Sequence, residues 1–387
     1  LNNSQKYFFK LLSSVINDTE ILPPSENVDM RAVFALGYNH KMLHTIYEKA
    51  YNYGVIKETD KNFKVWKNQY ILYKTRDTRQ QIAKDEIIDV LTENGIRVMP
   101  LKGLLIKDLY PNTYLRQMTD LDILIDKDNK SKVKSLLKSI GYKEFEGGKK
   151  HFSMVKKPAI NLEIHLKIFE NDWNECFSDV WENAEEKSKN LYIMSNEDLI
   201  LHNIMHSAEH LLSAGIGIRA ITDLYVLKKA YPEVLISENF LSKLDNYGLT
   251  DFFNVINNIC QVWFEGKDDS SLNKMAENFL LLSNNFGTNK DVAVQYASDI
   301  ADSEDSRFMI FLKLFFPSYK NMCKRFKILE SIKILLPVFW LVRIVRIPFM
   351  SGTMAVVKRL AKIDSEKIKE RNELLKSFGL SETTNNS

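Results

Sequence analysis

Glycine and proline are scarce in this chain, at 14 and 9 of 387 residues. That scarcity excludes collagen-like, linker-dominated and turn-rich all-β architectures and points to helix. Cysteine is scarcer still. Cys176, Cys260 and Cys323 are widely spaced and odd in number. They make no disulfide framework and no paired-cysteine metal knuckle, so a reducing compartment, the cytoplasm, is the expected location. Long apolar runs are missing as well. The longest wholly apolar candidate, Ile334–Val342, contains Pro337 and falls far short of the roughly 20 residues a spanning helix needs. Tyr7–Ile16 is interrupted by Lys10 and followed by no small-residue cleavage site, so it reads as a helix and not a signal peptide. A net charge of +3 is too small to imply nucleic acid or membrane by itself. What is present is ordinary for a folded protein: 45% hydrophobic and 27% charged residues, enough apolar surface for two or three domains of about 100–200 residues.

Helical spacing dominates the first 90 residues. Asn27–Asn52 carries Val33, Leu36, Met42, Leu43, Ile46 and Tyr47 on one face, and Phe63–Leu91 is a long amphipathic stretch ended by Asn94-Gly95. The pattern changes at Ile96. Ile96–Pro100 is short and β-branched, Leu101-Lys102-Gly103 is a tight turn, and Leu104–Tyr110 is one or two helical turns. Asp120–Ile125 alternates, Lys130–Ile140 is an amphipathic helix closed by Gly141, and His151–Lys156 and Ile160–Ile168 are strands joined at Lys157-Pro158. The expected fold class is α+β: a small mixed-sheet core at 91–178, embedded between a helical region at 1–90 and a helical region at 179–306. Ser195 and Asp198 read as a capping-box-like start to the helix that follows. Residues 307–387 read as a basic helical C-terminal region with a disordered tail.

The sharpest chemistry lies in Arg116-Gln117-Met118-Thr119-Asp120-Leu121-Asp122. On a strand, Asp120 and Asp122 share one face, while Leu121, Ile123 and Ile125 take the other into the core. Two carboxylates on one surface call for a proton or a cation between them. Hard oxygen donors favour Mg²⁺, which takes part of its shell from phosphate oxygens. In Asn161-Leu162-Glu163-Ile164-His165, Glu163 and His165 again share a face. If that strand lies beside the first, Glu163 completes a three-acid cluster able to hold two Mg²⁺ ions. His165 reads as the hydrogen-bond partner that fixes Glu163 at the edge of the substrate pocket, with a catalytic base as its lesser reading.

The order Leu101-Lys102-Gly103, then Arg116-x-x-Thr119-Asp120-x-Asp122, then Leu162-Glu163-x-His165 resembles the nucleotidyltransferase superfamily with a polymerase-beta-type core. It is closest to the bacterial nucleotidyltransferase family 5 group. The resemblance runs from about Leu36 to Arg346. It implies transfer of a nucleoside monophosphate from an NTP, ATP being one candidate, to a hydroxyl acceptor of open identity, with release of pyrophosphate. It also implies Asp120, Asp122 and Glu163 as catalytic metal ligands. Gly103 would admit the triphosphate, and Arg116 and Thr119 match the family's approach to the acid pair. The wider superfamily reads Gly-Gly or Gly-Ser where this chain has Lys102-Gly103. Leu104 offers no hydroxyl, and Lys102 would replace it as a point charge. That departure keeps open a catalytically silent nucleotide-binding relative. The plainer reading of Arg116 is an ion pair with Asp126 or Asp128.

Two further features invite function. His202, His206 and His210 form a stripe at i, i+4 and i+8, with Asp223 beyond. A metal-dependent phosphohydrolase is the lesser reading of this set. The favoured one is a substrate-pocket wall in which His206, His210 and Asp223 offer hydrogen bonds. Arg307–Leu360 holds 11 Lys or Arg and a single acid, Glu330, interleaved with aromatics. It is expected to complete a helical domain; a nucleic-acid contact and a weak peripheral membrane contact are the lesser alternatives.

Overall fold

A computed structural model of the chain describes residues 1–145, 151–158, 160–213, 215–283 and 365–380, with parts of 309–346. It divides into two compact units, one formed by residues 1–207 with 218–272 and the other by 208–217 with 273–386.

The first unit is built on one seven-stranded mixed sheet in the order β3-β4-β5-β2-β1-β7-β6. The strands are β1 (Val98–Pro100), β2 (Leu121–Ile125), β3 (Lys143–Phe145), β4 (His151–Lys156), β5 (Ile160–His165), β6 (Glu185–Ser188) and β7 (Leu191–Ile193). β2 pairs with β5, and β1 with β7, in parallel; the remaining pairs are antiparallel. The expected α+β class is therefore the observed one, a mixed sheet flanked by helices.

The helices of this unit are α1 (Asn3–Asn17), α2 (Met30–Asn39), α3 (Leu43–Asn52), α4 (Phe63–Glu93), α5 (Gly103–Ile106), α6 (Lys130–Ser139), α7 (Asn196–Ser213, shared with the second unit), α8 (Ile218–Ala230), α9 (Glu238–Asn246) and α10 (Thr250–Phe264). One face of the sheet presents Leu121, Ile123, Ile125, Leu162 and Ile164 to Ala83, Ile87 and Leu91 of α4 and Val133 and Leu137 of α6. The i, i+4, i+8 spacing on α4 and the period of two on β2 are what align these rows. At about 1.5–3 kcal/mol for each large side chain removed from water, this layer is what orders the sheet's other face. Far from the sheet, α1 packs on α10 through Phe9 and Trp263, stacked at 4.1 Å. Asn17 of α1 donates to the Tyr225 hydroxyl of α8 at 2.9 Å.

Three strands differ from expectation. β3, β6 and β7 are absent from the sequence reading, and the chain does not return wholly to helix at Asp179. Every residue of β6 is exposed, with Glu185, Glu186 and Lys187 in sequence, so neither periodicity nor intrinsic propensity marks it. Pairing decides instead. Val98 N–H donates to the Asn190 carbonyl at 2.8 Å, Val98 is the register partner of Leu191, and β6 follows as the antiparallel return of that hairpin. The start of α7 is as expected: the Ser195 hydroxyl accepts from Asp198 N–H at 3.1 Å and lies 2.8 Å from the Asp198 carboxylate.

In the second unit, α11 (Lys274–Leu282) and the helix Ser365–Ser377 are joined by an Asn273 side-chain donation to the Ser377 carbonyl at 2.7 Å. The Phe279 and Phe378 rings meet edge to face at 6.0 Å. A small cluster forms around Met322, Cys323 and Leu329. Pro337 occupies the second position of the helix Leu336–Arg346, where a missing N–H costs no helical hydrogen bond. Much of the basic segment at 307–360, and the tail at 381–387, lie outside the described residues. No helix among the described residues is long and apolar enough to cross a membrane.

Candidate active site

The site begins where β1 ends. Leu101 N–H donates to the Asp122 carbonyl at 2.9 Å, so the turn at Lys102 is stitched to the middle of β2. Lys102 has φ 48° and ψ −117°, a conformation that side chains disfavour and glycine adopts freely. The next residue has to be glycine for a different reason. A Cβ on Gly103 would lie 2.3 Å from Arg116 Nη1 and 2.6 Å from Met118 Sδ. Arg116 and Met118 thus pack against Gly103 where a side chain would otherwise project.

Across the sheet, Asp122 of β2 is the direct register partner of Glu163 on β5, with Leu124 opposite His165. Strand alternation puts all three polar side chains on the face away from the α4–α6 core. His165 Nε2 lies 2.7 Å from Asp122 Oδ1 and 3.9 Å from Glu163 Oε2. The imidazole thus steadies Asp122 more than Glu163, the partner expected for it. Lys102 Nζ reaches the same Asp122 Oδ1 at 3.0 Å. Asp120, expected within the strand beside Asp122, stands one position before β2 begins, and its carboxylate accepts from the Thr119 hydroxyl at 3.0 Å.

The electrostatics divide the three acids. Burial alone would raise the Asp122 carboxyl, but the Lys102 charge and the His165 hydrogen bond overcome it and hold Asp122 well below the ordinary carboxylate range. Glu163 is pushed up to about 7, by burial first and then by Asp122 and Asp120. Asp120 is also raised, by burial and then by Asp122. Burial disfavours the Lys102 ammonium, yet Asp122, Asp120 and Glu163 together raise it above its ordinary value. One cation thus sits among three acids that repel one another. Ligand atoms of Asp122, Glu163 and His165 all lie within 4.8 Å of one another. Two carboxylates and an imidazole so close together suit a divalent cation.

A second network holds the loop that leads into β2. Arg116 pairs with Asp223 of α8 through Nε at 2.9 Å and Nη2 at 2.8 Å, and the Tyr110 hydroxyl donates to Asp223 Oδ1 at 2.7 Å. Arg116 is thereby not the partner of Asp126, which takes both of its bonds from Arg97, at 3.0 and 2.7 Å. Arg219, one turn before Asp223, donates to the Gln117 carbonyl at 3.4 Å. Burial and the neighbouring Arg116 charge lower its pKa. From the other side, α4 contributes Arg76 to the Thr119 carbonyl at 3.1 Å and Gln80 to the Met118 carbonyl at 3.3 Å. Asp77 binds the buried Lys107 ammonium and accepts from Thr113 Oγ1 at 2.7 Å. Tyr110, Arg219, Arg76, Asp77 and Lys107 escaped the sequence reading. Only the i, i+1, i+4 grouping of Arg76, Asp77 and Gln80, polar residues on a half-buried helix, hinted at them.

The histidine stripe is divided. His202 is buried, with its ring edge-on to Phe169 at 5.5 Å and to Phe177 at 5.9 Å. His206 is half-buried, its ring 6.1 Å from that of His202. His210 belongs to the second unit. Asp223 is committed to Arg116 and Tyr110, and the grouping with metal-ligand spacing among the described residues lies at Asp122, Glu163 and His165.

Residues 26–265, more than half of the chain, match a family described as uncharacterised nucleotidyltransferase. The chain belongs to that family. The match spans the sheet, α4 and α8, and it ends before the basic segment that the resemblance had been read to include. A mixed sheet flanked by helices is consistent with a nucleotidyltransferase-type core. The solution structure of the antibiotic-resistance factor ANT(2'')-Ia is 12% identical, covering 49% of this chain and 100% of that one with a TM-score of 0.33, a likeness too distant to carry an argument. No curated protein matches.

Proposed function

We propose that this nucleotidyltransferase moves a nucleoside monophosphate from an NTP to a hydroxyl acceptor and releases pyrophosphate. The observation that carries the reading is the register pairing of Asp122 with Glu163, which joins carboxylates 41 positions apart on one sheet face. Asp122 and Glu163, with Asp120 beside them, would hold the divalent cation, Mg²⁺ in this reading. The cation would supply charge neutralisation at the phosphates and the leaving pyrophosphate.

The chain's own residues do the rest. His165 orients Asp122: an ionised carboxylate only accepts, so Nε2 carries the proton between them. Lys102 offers a point charge to the triphosphate, and Thr119 braces Asp120. Arg116 faces the nucleotide from the loop, with Asp223 and Tyr110 fixing its plane, so Asp223 serves the substrate pocket through Arg116. His206, in the same unit as the acids, is proposed as a pocket residue. The acceptor stays open among a sugar, a small metabolite, a peptide, a protein side chain and a tRNA end.

A specific observation favours a second reading. The turn carries Lys102-Gly103 where the wider superfamily reads Gly-Gly or Gly-Ser, which suits a nucleotide-binding relative without turnover. The deciding experiment follows pyrophosphate release from each of the four NTPs with Mg²⁺ over a broad acceptor panel. Mg²⁺-dependent release that is lost in Asp122→Asn supports the enzyme. Saturable NTP binding without release supports the silent relative.

A further inference from the structure

We infer that Lys102 is a resident counter-ion: its ammonium closes the acid cluster while no cation is bound, and it transfers to the nucleotide phosphates when the cluster is loaded. This rests on the metal-site reading above. Three observations lead to it. The Lys102 ammonium is 3.0 Å from Asp122 Oδ1, an oxygen that His165 Nε2 also approaches at 2.7 Å. Both lone pairs of that oxygen are therefore engaged. A divalent ion held by Asp122 and Glu163 and the ammonium on the same carboxylate would be like charges within a few Å, which is unfavourable. The ammonium is the one that can move, because it ends a flexible four-carbon stem.

The backbone gives the second observation. Lys102 sits at φ 48° and ψ −117°, where a lysine is strained and a glycine is not. Backbone preference therefore does not explain a lysine at this turn. The third is the charge balance. The Lys102 ammonium lies on Asp122, whose register partner is Glu163, so its positive charge stands against the pair of acids that would hold the ion.

The test is calorimetric titration of the full chain with Mn²⁺ alone, then with Mg²⁺ and a non-hydrolysable NTP, for the wild type, Lys102→Gly and Lys102→Met. Lys102→Gly fits the backbone without strain, and Lys102→Met keeps the stem without the charge. Without nucleotide, both variants are expected to bind Mn²⁺ about 10-fold more tightly than the wild type. With Mg²⁺ at saturation, both are expected to bind the NTP analogue more weakly. A second measurement uses the wild type itself. Acetylation of Lys102 by acetic anhydride, read by mass spectrometry, should rise when Mg²⁺ is added and fall when the analogue follows. Equal Mn²⁺ affinity in all three proteins, or acetylation unmoved by Mg²⁺, overturns the inference and leaves the metal site standing. No saturable cation binding in any of them overturns both.

Discussion

Asp122 of β2 and Glu163 of β5 face each other across a parallel pair, and the Lys102 ammonium is bonded to Asp122. The ammonium lies on Asp122 Oδ1 at 3.0 Å, and the two carboxyls respond in opposite directions. Asp122 stays ionised far into acid, while Glu163 is lifted to about 7. Surroundings that drive two carboxyls apart in this way are shared by functional clefts and structural ion-pair networks.

Asp122→Asn should lower any Mg²⁺-dependent turnover by about 100-fold or more, since several kcal/mol of charge stabilisation is at stake. Like-charge repulsion alone predicts that the substitution stabilises the cation-free protein. The Lys102 pair reverses that expectation, because it leaves an ammonium of 18% side-chain exposure among fewer acids. A loss of about 1–3 kcal/mol in urea denaturation without divalent cation is expected. An unchanged midpoint would show that Lys102 and Asp122 do not pair in solution.

Glu163 sets a pH dependence. Its carboxyl titrates near 7 in the folded chain against an ordinary 4.5. A raised folded value means that the protonated form is favoured by folding, so this contribution is complete below about pH 4.5 and lost as pH rises through 7. The cation-free wild type should lose stability across that window, and Glu163→Gln should lose less. Divalent cation binding should strengthen over the same window, because the ion takes the ionised form. Urea midpoints from pH 4.5 to 8 in EDTA check the first, and calorimetry the second. Parallel stability curves for the two proteins would refute the assignment.

Arg116 and Asp223 form a two-bond pair at side-chain exposures of 9% and 4%. Asp223→Asn leaves the guanidinium buried without its counter-charge and should cost about 3 kcal/mol. Arg116→Lys should be nearly as damaging, since an ammonium cannot reproduce the fork. Equilibrium unfolding of both variants measures this. An equal loss of NTP affinity in the two would tie the pair to the nucleotide, whereas stability loss with normal NTP affinity would confine it to the fold.

Gly103→Ala should cost about 1–3 kcal/mol, because its methyl group would meet Arg116 Nη1 at 2.3 Å and Met118 Sδ at 2.6 Å. Arg116 is pinned by Asp223 and cannot simply turn away. Combining Gly103→Ala with Arg116→Ala should recover part of the loss, a coupling that a double-mutant cycle reports. Strict additivity would mean that Arg116 does not occupy the space over Gly103.

Much of this molecule is legible without coordinates, because it rests on local periodicity. The period-two alternation of Leu121–Ile125 and Asn161–His165 determined by itself that aliphatic residues would go to a core and acids to the opposite face. The repeat along α4 and α6 supplied the helices that cover that core, and the Gly103 turn and the Ser195 cap were visible as residue types at defined offsets. What only tertiary structure decided is which charges meet. Parallel pairing of β2 with β5 aligned Asp122 with Glu163, and the folding back of α8 delivered Asp223 to Arg116 across 107 positions. The exposed charged strand β6 exists only because β7 found β1. Ion pairs and sheet edges carry no periodicity of their own. They are fixed by long-range packing, and a carboxylate in a sequence looks the same whether its partner becomes Asp126's Arg97, the water, or Lys102.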